Sequence, residues 1–213
     1  FFFKQKTAYE ISTRDWSSDV CSSDLETPTA DTALGDLVAD AMLAASRAPE
    51  KGGARIALTN PGGIRMPLTK TNEAGDVTYG DLFATLPFGN TLVTLTLTGA
   101  DLKAILERQW EGQAKPKVLQ VSAGFHYAWR ESLAPGGRVD AASMTLNGAP
   151  IDPKADYRVT INNFLFDGGD GFTTFQTGRD AFLGDTLLDA FEATFAKGAV
   201  VTAPKTGRIV KVD

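Results

Sequence analysis

Helical spacing of apolar residues marks the segment 31–46. Asp31 or Thr32 is available to cap its first turn. Asp81 follows Thr78 at the spacing of a capping box, which predicts the start of a shorter helix. These patterns indicate amphipathic helices that each pack one face on another element. Two further helices are predicted on the same grounds, one capped by Thr98 and one carrying Leu188, Phe191 and Phe195.

Alternating apolar and polar residues predict the strands. Val93, Leu95 and Leu97 fall on one face of such a stretch, and threonines fall on the other. The stretch 119–129 also alternates and puts His126 on its polar face. Helices and strands thus alternate irregularly around a hairpin-rich middle, which is typical of an α+β domain with mixed β-sheets covered by helices. The other predicted strands are 56–58, 139–146, 157–164 and 208–212.

The composition argues against several classes of function. The 213 residues are 43% hydrophobic and 22% charged, with a formal net charge of -5 and no basic cluster. This balance argues against a nucleic acid polymer held through its phosphates. No apolar run approaches the roughly 20 residues that a membrane span needs. With one cysteine, Cys21, and one histidine, His126, the chain lacks the parts for hydrolytic chemistry of its own.

Residues 1–25 look foreign to the rest of the chain. They show neither helical nor strand periodicity, and they match no targeting pattern. Their end, DVCSSDL, is what one reading frame of a common sequencing-adapter oligonucleotide encodes. We therefore interpret residues 1–25 as a translated adapter or a disordered tail, and residues 26–213 as one domain. On this interpretation the native N-terminus, and any domain before it, is missing.

Three loops share one chemical character. Each follows an apolar element and mixes glycine with phenylalanine, asparagine, aspartate or arginine. Glycine permits positive φ and close approach to the backbone, and aspartate accepts hydrogen bonds from its own turn or from a ligand's hydroxyl groups. The combination is typical of a binding loop, although a glycine-rich connection without a ligand has the same composition. The loops are TNPGGIR at 59–65, LPFGN at 86–90 and FLFDGGDGF at 164–172.

Two aromatic residues in these loops suggest what could be bound. If the loops meet at one sheet edge, Phe88 and Phe164 could face each other across a slot for a flat heterocycle. Arg65 could present a guanidinium to an anion. From the residues alone, the alternatives stay open, because most of the 13 phenylalanines are expected in the core and Arg65 in solvent.

These loops, in this order and spacing, resemble the C-terminal domain of the 5'-nucleotidase family, which includes ecto-5'-nucleotidase and bacterial UDP-sugar hydrolase. The resemblance starts at LGDLVADAM and depends on the joint occurrence of NPGGIR, LPFGNTLV and NFLFDGGDGF. It implies a 5'-nucleotidase C-terminal domain-like fold that recognises a nucleotide or nucleoside. It also implies a separate N-terminal calcineurin-like metallophosphoesterase domain, with two divalent metal ions, that hydrolyses the phosphoester. The enzyme is then expected in the periplasm or outside the cell, and this chain alone is expected to be inactive.

The resemblance also assigns roles by motif position. Phe88 and Phe164 would sandwich the base, and Asp170 would accept hydrogen bonds from the ribose hydroxyls. No residue of this chain is assigned to catalysis or to a metal. The remaining substrate-binding assignments are Arg65 at the phosphate or ribose side, Asn60 and Asn90 as polar neighbours of the nucleoside, and Gly62, Gly63 and Gly169 in the loops around it.

The sequence departs from the family pattern in two places. Where the family loop often reads Gly-Gly-Gly, Asn60 and Pro61 precede the two glycines, and proline removes one N–H donor. The segment before the first helix reads ETPTADTA, without the substrate arginines that family members often supply there. Two alternatives are kept: the C-terminal domain of a 2',3'-cyclic-nucleotide phosphodiesterase with 3'-nucleotidase activity, and a non-catalytic nucleoside-binding module.

Overall fold

The computed structural model describes residues 30–68, 77–195 and 201–213. Its helices are α1 (Ala33–Ser46), α2 (Tyr79–Thr85), α3 (Gly99–Glu107), α4 (Asn163–Phe166) and α5 (Leu187–Thr194). Its strands are β1 (Ile56–Thr59), β2 (Thr91–Thr98), β3 (Gln120–Val121), β4 (Phe125–Trp129), β5 (Val139–Leu146), β6 (Ala149–Pro150), β7 (Asp156–Asn162), β8 (Arg179–Thr186) and β9 (Ile209–Lys211).

The strands form two mixed sheets. The five-stranded sheet has the order β3-β1-β7-β2-β8, with β1 and β7 parallel and the other neighbours antiparallel. The four-stranded sheet has the order β6-β5-β4-β9, with β4 and β9 parallel. The predicted α+β class with mixed sheets and covering helices is therefore confirmed.

Two apolar clusters form the core, one on each face of the five-stranded sheet. The first joins this sheet to α3 and to the four-stranded sheet, and contains Val93, Leu95 and Leu97. The second lies under α1, α2 and α5. The threonine face of β2 is therefore buried rather than solvated, and its hydroxyls pair inside the protein: Thr94 Oγ1 lies 2.6 Å from Thr160 Oγ1. Burial of both faces fits the internal place of β2, between β7 and β8.

The helix starts follow from side-chain caps. Thr32 caps α1 by accepting a hydrogen bond from the N–H of Gly35, so the second of the two expected caps is the one used. The capping box of Thr78 and Asp81 is present in α2. An equivalent box of Thr98 and Asp101 starts α3. In each case the side chain satisfies N–H groups that the first turn leaves without a partner.

The structure corrects three expectations. The stretch 119–129 is divided between β3 and β4, in different sheets, because Gly124 turns the chain with φ 87°. The predicted strand 157–164 ends at Asn162, so Phe164 lies on α4 instead. The strand β8 was not predicted at all. Its Phe182 and Leu183 are exposed, since β8 lies at the edge of its sheet, beside β2.

Candidate functional site

The three predicted loops meet at one pocket, which we call the loop pocket. It has a volume of about 410 Å³. Every residue that lines it was singled out from the sequence, and of the predicted site residues only Gly169 is outside the lining. The lining residues are Asn60, Gly62, Gly63, Arg65, Phe88, Asn90, Phe164 and Asp170.

The first loop leaves β1 and turns through a short 3-10 helix at Pro61–Gly63. The N–H of Gly63 donates to Asn60 O at 3.1 Å, and the N–H of Ile64 donates to Pro61 O at 3.0 Å. These two donors are used within the turn and are not presented to an anion. The N–H of Arg65 donates to Thr85 O at 2.9 Å, which ties the end of the loop to α2.

The two phenylalanines of the loop pocket are partly exposed. Phe88 is 57% exposed and Phe164 is 42% exposed, so neither is a core residue. The third loop contributes to the core through Phe172 instead, which is fully buried. Arg65 extends along Phe88, with its Cζ 5.8 Å from the ring centroid. The pocket rim thus offers aromatic faces with a cation beside one of them.

The short helix α4 presents Phe164. The side chain of Asn162 caps it by accepting a hydrogen bond from the N–H of Leu165 at 2.9 Å, and Leu165 is fully buried. A Cβ at Gly169 would lie 2.5 Å from both Cε1 and O of Phe164, so the absence of a side chain lets the loop pass against this residue. Gly169 therefore supports Phe164 instead of lining the pocket.

Asp170 is held by hydrogen bonds on both sides of its carboxylate. Its Oδ2 accepts a hydrogen bond from Asn60 Nδ2 at 3.1 Å, and Asn60 Oδ1 in turn accepts one from Asn162 Nδ2 at 2.9 Å. Its Oδ1 is ion-paired with Lys117. The backbone of Asp170 adopts φ 56° and ψ 16°, in the left-handed region that few residues other than glycine enter.

A second group of charges, which we call the Arg208 cluster, lies outside the loop pocket and consists of Arg208, Asp31, Asp36 and Asp40. The Arg208 guanidinium donates to both carboxylate oxygens of Asp40, at 2.7 and 2.8 Å. Asp36 is fully buried, and neither of its oxygens has a hydrogen-bond partner among the described residues, although Arg208 Nε lies 3.2 Å from Oδ2. Burial, with the nearby carboxylates of Asp31 and Asp40, outweighs the attraction of Arg208 and raises the pKa of Asp36 to about 9.

Residues 13–177 match the family described as 5'-nucleotidase, C-terminal domain. The chain belongs to this family. All three loops of the pocket fall within the matched residues. The match also begins inside the segment 1–25, which lies outside the described residues, so the boundary between tail and domain at residue 25 stays a prediction.

Proteins similar to this 5'-nucleotidase C-terminal domain are considerably longer than it. The trifunctional nucleotide phosphoesterase protein YfkN of Bacillus subtilis (strain 168) is 38% identical over 194 residues, which are 86% of this chain and 13% of that protein. The 5'-nucleotidase of Homo sapiens is 35% identical over 166 residues, 72% of this chain and 28% of that protein. The crystal structure of a 5'-nucleotidase precursor from Thermus thermophilus matches with a TM-score of 0.72 at 32% identity, covering 98% of this chain and 40% of that one.

Three residues that support the 5'-nucleotidase domain's pocket were missed in the sequence: Asn162, Gln113 and Lys117. Asn162 belongs to the strand β7. Its amide oxygen caps α4, and its amide nitrogen donates a hydrogen bond to Asn60. Gln113 and Lys117 lie far from Asp170 in sequence, and a lysine between α3 and β3 has the pattern of a surface residue. No local signal distinguishes them.

The described part of this domain offers neither a metal site nor a membrane span. Among these residues, no three or more His, Cys, Asp or Glu side chains are grouped so that they could hold a metal ion. Within the same residues, no helix is both long and apolar enough to cross a bilayer.

Proposed function

We propose that the loop pocket binds the nucleoside part of a nucleotide, as the recognition domain of a 5'-nucleotidase-type phosphohydrolase that acts in nucleotide breakdown. The observation that carries this proposal is the meeting of two exposed phenylalanines with Asp170 in one pocket of about 410 Å³. Membership of the 5'-nucleotidase C-terminal domain family supports it.

The base would stack between Phe88 and Phe164. A base stacked on an aromatic side chain contributes about 1–3 kcal/mol, largely regardless of which base it is. Such a pocket tolerates purines and pyrimidines alike unless polar neighbours discriminate between them. Asn90 is the polar neighbour on the second loop, and its backbone is fixed because Leu187 N donates to Asn90 O at 2.7 Å.

The sugar and phosphate would be recognised by charge. The Asp170 carboxylate accepts hydrogen bonds from ribose hydroxyls, and the Arg65 guanidinium meets the phosphate or the ribose side. Arg65 beside Phe88 gives the pocket a cation near the base-binding face. Asn60 orients Asp170 and is itself oriented by Asn162.

Hydrolysis would take place on another domain of the complete enzyme. The resemblance assigns that domain two divalent metal ions, which supply an activated water and a polarised phosphoryl group. The residues described for this chain do not form a site that fits such ions. The part of the reaction proposed for this chain is therefore binding and orienting the substrate.

A periplasmic or extracellular location belongs to the same proposal, and a similar cell wall protein, Lmo0130 of Listeria monocytogenes, supports it.

A calorimetric titration of the whole 213-residue chain with adenosine and with AMP tests the stacking assignment. Phe88→Ala combined with Phe164→Ala should weaken both ligands by about 1–3 kcal/mol for each ring removed. Phe182→Ala is the matched control, because Phe182 is an exposed phenylalanine on β8 that does not line the pocket. Unchanged affinity in the double variant, or an equal loss in the control, would contradict the proposal.

A second candidate function is favoured by the name of one relative, the trifunctional nucleotide phosphoesterase protein YfkN. In this case the loop pocket recognises nucleotides for more than one phosphoesterase reaction, including those on 2',3'-cyclic and 3'-phosphorylated substrates. Adding 2',3'-cyclic AMP and 3'-AMP to the same titrations separates the candidates. Binding of all three phosphorylated ligands with similar affinity supports the broader function, and binding of AMP alone supports the narrower one.

A further inference from the structure

A fourth loop reaches the loop pocket from outside the three predicted ones. It is the α3–β3 loop, residues 108–119, and it contacts Asp170 at two points. Lys117 Nζ is ion-paired with Asp170 Oδ1, and Gln113 Nε2 donates to the backbone carbonyl of Asp170 at 2.6 Å. The side chain and the main chain of this one residue are therefore both fixed by the same loop.

These contacts determine how many further hydrogen bonds the Asp170 carboxylate can accept. A carboxylate has about four lone-pair sites, two on each oxygen. Lys117 occupies one site on Oδ1, and Asn60 occupies one on Oδ2. Within the described contacts, one site then remains on each oxygen. Two hydroxyl groups on adjacent carbons can donate one hydrogen bond to each, which is the geometry that a vicinal diol such as ribose offers.

The contacts also counter an unfavourable backbone conformation. Asp170 has φ 56°, and conformations of this kind persist only where the surrounding structure holds them. The Lys117–Asp170 pair is partly exposed, with side-chain exposures of 37% and 19%. Ion pairs at such positions contribute little to stability, because water and salt screen them. Its expected contribution is therefore to the orientation of the carboxylate.

We propose that Lys117 is a positioning residue that orients the Asp170 carboxylate to accept both hydroxyls of a vicinal diol, and thereby sets a preference for ribonucleosides over deoxyribonucleosides. The inference rests on the proposed function, since it assumes that a nucleoside occupies the loop pocket. It adds to that function a residue and a loop that none of the predicted motifs contains.

The test measures diol selectivity, the ratio of the Kd of 2',3'-dideoxyadenosine to that of adenosine, by calorimetry on the whole chain. Two hydrogen bonds to a charged acceptor should give the unmodified chain a ratio of about ten or more. Lys117→Met should bring this ratio close to one by weakening adenosine binding, with dideoxyadenosine binding unchanged. Lys117→Arg should retain most of the selectivity, because it keeps the charge.

Lys115→Met is the matched control, since Lys115 is an exposed lysine in the same loop, and it should keep the full ratio. A Lys117→Met ratio equal to that of the unmodified chain overturns the inference. So does a parallel loss for both ligands, which indicates a merely structural role, and so does an unmodified chain that binds both ligands equally. If the unmodified chain binds neither nucleoside, the proposed function itself fails, which is a distinct outcome.

Discussion

The loop pocket and the Arg208 cluster contain the same kinds of charged residue in opposite surroundings. In the pocket, Arg65 is exposed and Asp170 keeps part of its carboxylate open to solvent. In the cluster, Arg208 and Asp36 are buried against each other. The large pKa shift of a carboxyl group described here belongs to Asp36, away from the pocket.

This contrast shows that a strongly shifted pKa can result from burial alone and does not by itself identify a functional site. Strongly shifted groups are often used to find active sites, but structural ion pairs shift in the same way. The support of the pocket instead includes a neutral part, a relay of amides from Asn162 to Asn60, beside the ion pair of Lys117 with Asp170. Amides do not titrate, so this relay should keep its geometry over a pH range in which the Arg208 cluster changes its charge.

The largest expected effect is a loss of folding stability when the ion pair of the Arg208 cluster is broken. Arg208→Leu removes a buried guanidinium that pairs with the partly exposed Asp40 and donates to Val121 O, so the cost should approach the roughly 3–5 kcal/mol of losing one member of a buried ion pair. Urea unfolding measures this cost. Arg179→Leu is the control, because the exposed pair of Arg179 with Asp156 should contribute less than about 1 kcal/mol. Equal losses in both variants would remove the distinction between buried and exposed pairs.

The next effect is a pH dependence that belongs to Asp36. Its folded-state pKa of about 9 lies above the usual value of 3.8, so between these values the folded protein binds a proton that the unfolded chain does not. The free energy of unfolding should therefore fall as pH rises through this window, by about 3 kcal/mol between pH 6 and pH 8. Asp36→Asn should flatten this slope and stabilise the protein at pH 8. Thermal unfolding of both proteins against pH measures the difference.

The control for this titration is Asp185→Asn, since Asp185 is half exposed and pairs with Lys51 at 2.9 Å. It should leave the pH slope as it is. A slope that survives Asp36→Asn would mean that Asp36 is ionised in the folded protein. Nucleoside affinity, measured over the same pH range, should stay constant if the pocket is as independent of the cluster as the comparison implies.

The smallest effect concerns the amide relay. Asn162→Ala removes the cap of α4 and the donor to Asn60, which should cost about 1–2 kcal/mol of stability. Adenosine affinity should also fall, because Phe164 and Asn60 both lose their support. Asn162→Asp separates the two contributions: it keeps the cap acceptor and loses the donor. If Asn162→Asp binds adenosine as well as the unmodified chain does, the relay has no part in shaping the pocket.

Much of the fold could be predicted because its signals are local. The capping box of Thr78 and Asp81 spans a single turn, and the alternation of Val93, Leu95 and Leu97 spans one strand, so each can be recognised without the rest of the protein. The exposed edge strand β8 gives no such signal. It exists because β2 lies beside it, and that pairing joins residues far apart in sequence.

The candidate site divides in the same way. Its lining residues are concentrated in three short motifs that glycine marks as turns, but their meeting at one pocket was expected only from the family resemblance, because the residues alone left the alternatives open. Lys117 could not be predicted, because it lies 53 positions from Asp170 and its own neighbours give it the character of a surface lysine. The place of Phe164 on α4 also escaped prediction, since it depends on the cap that Asn162 provides.

Asp31 joins the two ends of the described chain. Its carboxylate accepts hydrogen bonds from the successive N–H groups of Gly207, Arg208 and Ile209, at 2.7, 2.9 and 3.2 Å, directly before α1 begins. Residues near the two ends of the described chain therefore lie side by side. Such a geometry lets a domain be inserted within a longer protein, with its neighbours on either side free to differ.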